Sequence, residues 1–373
     1  MSKNKNKVAI MGAGIAGLSC AYELEKFGIT PDVFEVMDQI SGQGINHTVG
    51  WMNVMYRPIK DPLIYLKKRY GFNLRPIEKI RRVNFYSPNN SATLEGDLGY
   101  IHLSGPDKRS LYYQILPKIK TPIQYNQVVN FRDLSEEYDH VVIANGNSDI
   151  TELCGLWKTD VAGYVRGATV YGSFDPQTIV MWFNTEYAQH AYAYFVPWND
   201  RKGSLILNML EVTLQGADIC WNRFLNDINW NVEIAEVWEK VHHLGHVHKH
   251  FYDNLIFTGA AGGFLDPLFA FGNIATIESG GAAAKHIAKR ADFSKEVSLW
   301  LNRNKKTLRL RRYVDKFTND DFDKMLDYLK TPGFRTVAAK SNINIINLLS
   351  NVANTIVSKK IDTVFYPKEG VKQ

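Results

Sequence analysis

Cysteine is scarce in this chain: Cys20, Cys154 and Cys220 are the three among 373 residues. They lie far apart without metal-ligand spacing, and so low and odd a count argues against a disulfide framework and for a reducing compartment. Long apolar runs are missing as well. No stretch of about 18 apolar residues occurs, so no segment is expected to span a membrane. The N-terminal MSKNKNKVAIMGAG has lysines but no apolar core before its first strand, unlike a secretory signal. Charge of one sign is not strongly in excess: 44 basic against 38 acidic residues leave +6, far from the pattern of a nucleic-acid binder. Repeats and low-complexity linkers are absent. The expectation is a cytoplasmic globular protein with no nucleic-acid partner, long enough for one large interleaved domain or two to three separate ones.

Glycine, by contrast, is concentrated where it carries information. Val8-Ala9-Ile10-Met11 is a short apolar run suited to a buried parallel strand, and Gly12-Ala13-Gly14-Ile15-Ala16-Gly17 follows it. A helical pattern begins at Leu18, Gly28 stops it, and Pro31-Asp32-Val33-Phe34-Glu35 reads as a second strand ending in an acid. That acid stands 23 residues past Gly12, which completes the dinucleotide-binding fingerprint. Gly12 permits the tight turn, Gly14 admits a pyrophosphate to the backbone, and Gly17 allows close helix–strand packing. Ile15 and Ala16 lie in the loop itself, just before the helix whose N-terminus supplies amides and positive potential to the phosphates. Glu35, with Val36 after it, is placed for the ribose hydroxyls and the adenosine side.

Two more strands run into glycine turns. Tyr138 to Ile143 leads to Ala144-Asn145-Gly146, and Asp253 to Phe257 leads to Thr258-Gly259-Ala260-Ala261-Gly262-Gly263-Phe264-Leu265-Asp266-Pro267-Leu268-Phe269. A helix-compatible run with small residues follows from Gly272-Asn273-Ile274 to Ala284. At these motifs the sequence resembles the FAD-dependent oxidoreductases of the p-hydroxybenzoate-hydroxylase type, which include aromatic hydroxylases, geranylgeranyl reductases and tryptophan-halogenase-like enzymes. The second glycine loop aligns with that family's G-D-A-A-G-F-x-[DN]-P without gaps, and Asp266-Pro267-Leu268-Phe269 is most similar to the halogenase branch. Arg109 to Leu116 resembles the family's R-x-x-[FY]-x-x-x-L helix, whose arginine lies near the flavin. Tyr192 to Pro197 resembles W-x-W-x-I-P with both tryptophans replaced by tyrosine. The matched pieces span residues 8 to about 290.

The resemblance implies a Rossmann-like α/β FAD-binding domain of the GR2 type, assembled from 1–50, 100–150 and 245–295. An inserted antiparallel β-sheet substrate domain takes 51–99 and 155–244, and a C-terminal helical region takes 296–373. It implies FAD contacts at Gly12, Gly14, Ile15, Ala16, Gly17, Glu35, Val36, Arg109, Ala144, Asn145, Gly146, Gly259, Ala260, Gly272, Asn273 and Ile274. The chain also departs from the family. Ala260 replaces the aspartate that holds the ribityl chain, which shifts that task to backbone amides or another side chain. Ser41 to His47 lacks the family's arginine and glycine pair, and Lys60, Lys67 and Lys68 do not match the context of the halogenase lysine. These departures argue against halogenation.

Five of ten histidines fall between His242 and His250. In a strand, His246, His248 and His250 would share one face, so three readings stand open: a zinc or copper site, a substrate-facing base, or a polar surface strand. No metal is expected. From Ala168 to Leu210 aromatic and polar residues alternate as in an antiparallel sheet, the part that roofs the substrate in the resembled family, and Tyr194 joins His246 and His248 as a catalytic candidate. The basic run Lys305 to Arg312 and the amphipathic Ile343 to Leu349 read either as a solvent-facing helical cap or as a contact for lipid or a protein partner.

The leading expectation is FAD-dependent oxidation or oxygenation of an aromatic, indole- or phenol-like substrate, with a side chain of a partner protein as one form of it. A geranylgeranyl-type prenyl reductase and a non-catalytic flavin-binding partner protein are the alternatives.

Overall fold

The computed structural model describes residues 6–40 and 45–334. From the N-terminus, β1 (Val8–Met11), α1 (Ile15–Lys26) and β2 (Asp32–Phe34) form the expected strand–helix–strand unit, with Gly28 just past the helix end. The chain then leaves this unit through β3 (His47–Met52), α2 (Pro62–Tyr70), β4 (Glu78–Ser87) and β5 (Asn90–Ser104). It returns through α3 (Leu111–Ile115), β6 (Ile123–Gln124), α4 (Phe131–Glu137), β7 (His140–Ile143) and α5 (Asp149–Leu153). A second excursion comprises β8 (Trp157–Tyr171), β9 (Thr178–Trp182), α6 (Thr185–Ala188), β10 (Ala193–Pro197), β11 (Lys202–Leu210), α7 (Leu214–Ile228) and β12 (Glu233–Val247). The hairpin β13 (Phe251–Tyr252) and β14 (Leu255–Phe257) leads to α8 (Asn273–Ile287), α9 (Phe293–Val314) and α10 (Asn319–Lys330).

These strands form two sheets. The first runs β13-β14-β7-β1-β2-β6, with every pair parallel except the β13–β14 hairpin. Its strands are short and apolar on both faces, as a sheet covered on both sides requires. The second runs β12-β8-β11-β10-β9-β4-β5-β3 and draws on residues 47–104 and 157–247. It is antiparallel apart from β4–β9, where the two excursions meet side by side. One face of this sheet, with Ala168, Val170, Phe195, Leu205 and Leu207, packs on Trp221 and Phe224 of α7. The opposite face carries Tyr194, Ile206, Gly167 and Trp238 in register across β10, β11, β8 and β12. Asn208, Val165 and Lys240 follow on that face one pair further along. Strand β3 lies over it, because the Thr48 hydroxyl donates to the Val196 carbonyl at 2.7 Å and the Thr48 amide donates to Ser204 Oγ at 3.0 Å.

Of the C-terminal region, α9 and α10 fall within the described residues and pack on β4, β5 and α8, whereas Ile343 to Leu349 lies outside them. All three cysteines are free. Among the described residues no helix is long and apolar enough to cross a membrane. No group of three or more His, Cys, Asp or Glu among them is arranged to hold a metal ion.

Helices α1 and α8 meet backbone to backbone: a Cβ on Gly280 would sit 2.1 Å from the Ala16 carbonyl oxygen. Gly280→Ala must push the helices apart, and its expected cost is about 1–3 kcal/mol of stability. Urea unfolding measures this directly, and an unchanged midpoint would show that the contact is not tight.

Candidate active site

The first glycine loop is shaped by the strands around it. Gly12 has φ +104, and a Cβ there would meet the Ala144 carbonyl oxygen at 2.4 Å, so the end of β7 enforces glycine. A Cβ on Gly17 would lie 1.9 Å from the Gly12 carbonyl oxygen. Gly14 differs: the nearest atom to a Cβ there is 3.9 Å away, so protein packing does not demand glycine and the space above the loop is open. Gly14 is also the N-cap of α1 and provides no side-chain acceptor, which leaves the Ile15 and Ala16 end of the helix to a ligand. Glu35 sits at the rim. Its carboxylate accepts from the Ala13 amide at 2.8 Å and from the Met37 amide at 3.0 Å, tying the end of β2 to the loop.

Beside Glu35 is an exposed apolar ledge. Val36, Met37 and Val128 are 57%, 41% and 87% exposed. Backbone bonds from Gln127 to the Glu35 carbonyl and from Asn126 to the Met37 carbonyl hold the two segments together. Val128 had no signal in the sequence, because only strand pairing carries it to Val36. At the end of β7, the Ala144 amide donates to the Met11 carbonyl at 2.8 Å. Asn145 turns its Nδ2 to Asn147 at 2.6 Å and leaves Oδ1 buried without a partner. A buried acceptor of this kind costs free energy until something donates to it. The open cradle at Gly14 and this orphaned oxygen both fit a bound dinucleotide.

The second glycine loop continues β14, the neighbour of β7. The Gly259 amide donates to Ser279 Oγ at 2.9 Å, so α8 fixes the turn that precedes it. Helix α8 starts at Asn273 and Ile274 with Gly272 as its N-cap, again without a side-chain acceptor. Ala260 stands in the turn, where the family aspartate would be, and its carbonyl accepts from the Gly263 amide. Asp266 turns out to be a turn-former. Its Oδ1 accepts from the Leu268 and Phe269 amides, both at 2.9 Å, while Oδ2 lies 3.8 Å from Arg303 Nε. Helix α9 also holds the loop through Asn304, whose Nδ2 donates to the Gly263 and Leu265 carbonyls at 3.0 and 3.2 Å. Ser279, Arg303 and Asn304 are site-shaping residues that no sequence motif revealed.

The remaining candidates are spread more widely than the sequence suggested. Tyr194 projects from the face of the second sheet opposite α7, beside Tyr192, whose hydroxyl donates to the Phe269 carbonyl at 2.8 Å. That bond ties the sheet to the second glycine loop. The histidines do not share one strand face. A bulge at Leu244/Gly245 shifts the register, β12 ends at Val247, and His248 and His250 lie beyond it. His246 Nδ1 pairs with Asp160 at 2.7 Å, and His248 stands edge-on to it with ring centroids 5.9 Å apart. His250 instead lies within 3.1 Å of the Gly262 carbonyl and packs on Phe264 and Phe293, supporting the loop. Burial lowers its pKa to about 4, so it is neutral near pH 7. Arg109 is exposed and held by Asp107, with Nε–Oδ1 at 3.0 Å and Nη2–Oδ2 at 2.8 Å. Of the segment that departs from the family, residues 41–44 lie outside the described part of the chain.

His102 of β5 is fully buried against Trp51, with ring centroids 4.3 Å apart and neither ring nitrogen hydrogen-bonded. Burial pushes its pKa down to about 3. Above pH about 6.5 the ring is neutral whether the chain is folded or not; below it the unfolded chain binds the proton first, so stability falls by about 1.4 kcal/mol per pH unit. His102→Leu is expected to reduce the slope of stability between pH 6.5 and 5 by about one proton, and an unaltered slope would refute this assignment. Gly14→Ala is expected to leave the melting temperature of the apoprotein unchanged yet weaken FAD binding about tenfold or more, by filling the open cradle. Calorimetric melting and an FAD titration test the two halves, and wild-type affinity in the variant would exclude Gly14 from the site.

Comparison with known proteins agrees with this geometry. Residues 10–58 match the NAD(P)-binding Rossmann-like domain. Among curated proteins, a possible lysine-specific histone demethylase 1 of Drosophila melanogaster is 33% identical over 85 residues, 21% of this chain and 9% of that protein. The flavin-dependent L-tryptophan oxidase RebO of Lentzea aerocolonigenes is 40% identical over 50 residues, 13% of this chain and 11% of that protein. The chain thus matches only about a tenth of the length of these relatives. Solved structures align far more completely. A geranylgeranyl bacteriochlorophyll reductase-like protein of Thermoplasma acidophilum superposes with a TM-score of 0.71 at 12% identity, covering 95% of this chain and 96% of that one. The flavin-dependent brominase Bmp2 gives 0.62 at 15%, covering 95% and 98%. The flavin-dependent halogenase CmlS gives 0.60 at 16%, covering 93% and 70%. The chain therefore carries a Rossmann-like dinucleotide-binding domain and shares its fold with these flavin-dependent halogenating enzymes and with the geranylgeranyl bacteriochlorophyll reductase-like protein.

Proposed function

We propose that the protein binds FAD and is an oxidoreductase acting on an aromatic substrate. The observation that carries this reading is the pairing of two helix starts. Helices α1 and α8 each follow a glycine loop at the carboxyl end of a parallel strand, and neither N-terminus is capped by a side chain. Two such ends, held together by the contact between Ala16 and Gly280, suit a cofactor with anionic or polar groups at two separated places. The Gly14 cradle and the Ile15 and Ala16 amides take the pyrophosphate, Glu35 the ribose, and the Val36, Met37 and Val128 ledge the adenine. Asn145 and the turn from Gly259 to Phe264 take the flavin half, with backbone amides in place of the aspartate missing at Ala260. Bound there, FAD supplies two-electron redox chemistry and, once reduced, reactivity toward dioxygen.

The chain's own share of the work is orientation and exclusion of water. Tyr192, Tyr194 and Phe269 form an aromatic wall between the second sheet and the second glycine loop, with ring centroids of 5.7 Å for Tyr192–Tyr194 and for Tyr192–Phe269. Such walls stack planar substrates. We take that substrate to be an indole- or phenol-like group, free or presented by a partner protein. Prenyl reduction is the second reading, favoured by the near-complete superposition on the geranylgeranyl reductase-like protein.

Purified protein is expected to be yellow, with the visible bands of an oxidised flavin, and a colourless preparation that takes up no added FAD would sink the proposal. Photoreduction followed by exposure to air separates the two chemistries. Rapid reoxidation supports an oxygen-using reaction on an aromatic compound, whereas a reduced form that persists in air supports prenyl reduction.

A further inference from the structure

The face of the second sheet opposite α7 carries more than aromatic residues. Register across β11, β8 and β12 aligns Ile206, Gly167 and Trp238, then Asn208, Val165 and Lys240, then Leu210, Gly163 and His242. Directly opposed residues of a sheet share a face, so Trp238, Lys240 and His242 lie on the same side as Tyr194. From β3, which lies over this face, His47 reaches Trp238 with ring centroids 5.8 Å apart. Three groups able to carry positive charge, His47, Lys240 and His242, thereby gather on one half-buried surface.

None of them has a carboxylate partner among the described residues. The acid next to Lys240 in sequence, Glu239, points to the other face, where it bonds Arg166 and Tyr164; Arg166 also pairs with Asp218 at 2.7 Å. Among the described residues, His47 Nδ1 lies 3.2 Å from the Ile45 carbonyl. Burial lowers the pKa of Lys240, and burial first, with the charge of Lys240 adding to it, lowers both imidazoles to about 4. Near pH 7 both imidazoles are therefore neutral and Lys240 carries the charge; a bound oxyanion relieves the sheltered ammonium through a charge-assisted hydrogen bond, and the imidazoles have N–H groups to donate to it.

We propose that the inner face of β12 and the start of β3 form a subsite for an anionic group on the aromatic substrate, a carboxylate above all, with Lys240 as the principal cation and His47 and His242 beside it. Trp238 supplies a flat apolar wall next to the charge. The aromatic character of the ligand rests on the proposed function; the preference for an anion does not. A phosphate of a nicotinamide nucleotide offers similar oxygen chemistry, but the aromatic residues on the same face favour a small aromatic acid.

The test is calorimetric titration of the purified protein, after addition of FAD, with benzoate and indole-3-acetate and with their neutral amides, benzamide and indole-3-acetamide. Each acid is expected to bind about tenfold or more tightly than its amide. In Lys240→Gln that preference is expected to shrink to about threefold or less with amide affinity unchanged, and Lys240→Arg is expected to restore most of it. Because Lys240 has no carboxylate partner among the described residues, Lys240→Gln is expected to melt at or above the wild-type temperature, which distinguishes a binding role from a structural one. Equal binding of acid and amide, absence of binding by both acids, or a preference that survives Lys240→Gln overturns the proposal. Binding of NADPH that depends on Lys240, without selectivity for the aromatic acids, overturns it in favour of a nucleotide phosphate. Failure of the flavin reading would appear separately, as protein that leaves a desalting column colourless after the addition of FAD, because the heat signal requires no flavin.

Discussion

The close contact of α1 with α8 sets the geometry of the proposed cofactor site. Gly17 lets α1 settle on the Gly12 turn, and Gly280 lets α8 touch the Ala16 carbonyl. Two helices that would otherwise stand about 8–10 Å apart along their axes are drawn together, although the strands they follow, β1 and β14, are separated by β7. Their free amides and aligned dipoles then converge on one crevice at the carboxyl ends of β1, β7 and β14. Ser279 extends the arrangement, since the helix it belongs to also fixes the Gly259 amide. The loops are thus held from below by packing, and the open space at Gly14 remains for a ligand.

The second sheet meets this crevice through a few specific bonds. Thr48 ties β3 to β10 and β11, and Tyr192 ties β10 to the carbonyl of Phe269. Helix α9 closes the back of the second loop through Asn304, while Arg303 lies near Asp266 and over the Tyr56 ring. The strict alternation of a strand divides the work of the sheet. One face is an apolar layer under α7, and the other carries Tyr194, Trp238 and the basic groups, with Tyr192 bonded to the second glycine loop. Arg166 and Glu239 pair on the first face, and no acid among the described residues opposes the positive groups on the second.

Much of this was legible in the residues. The order strand–glycine turn–helix with Glu35 at its fixed distance identified the first loop, because the turn, the phosphate approach and the helix packing each demand glycine. The second loop and the run of aromatic strands were equally local signals. The histidine cluster was not readable in the same way. Alternation promised one face for His246, His248 and His250, but a bulge and an early strand end separated them. Val128, Ser279, Asn304 and His47 left no trace, since each acquires its role from a partner more than 15 residues away in the chain. Ala260 stood out as a departure from the family, and the sequence left open whether backbone amides or another side chain takes over from the missing aspartate.

The sequence by itself determined the Rossmann-like unit, the three glycine turns and the alternating strands, because these follow from steric rules and periodicities that act over a few residues. Tertiary structure alone decided which face of β12 turns away from α7, that Lys240 and His242 join His47 there, and that Asp266 serves its own turn. Those outcomes depend on strand register, bulges and the pairing of charges across strands, and no window of neighbouring residues contains the distances that fix them.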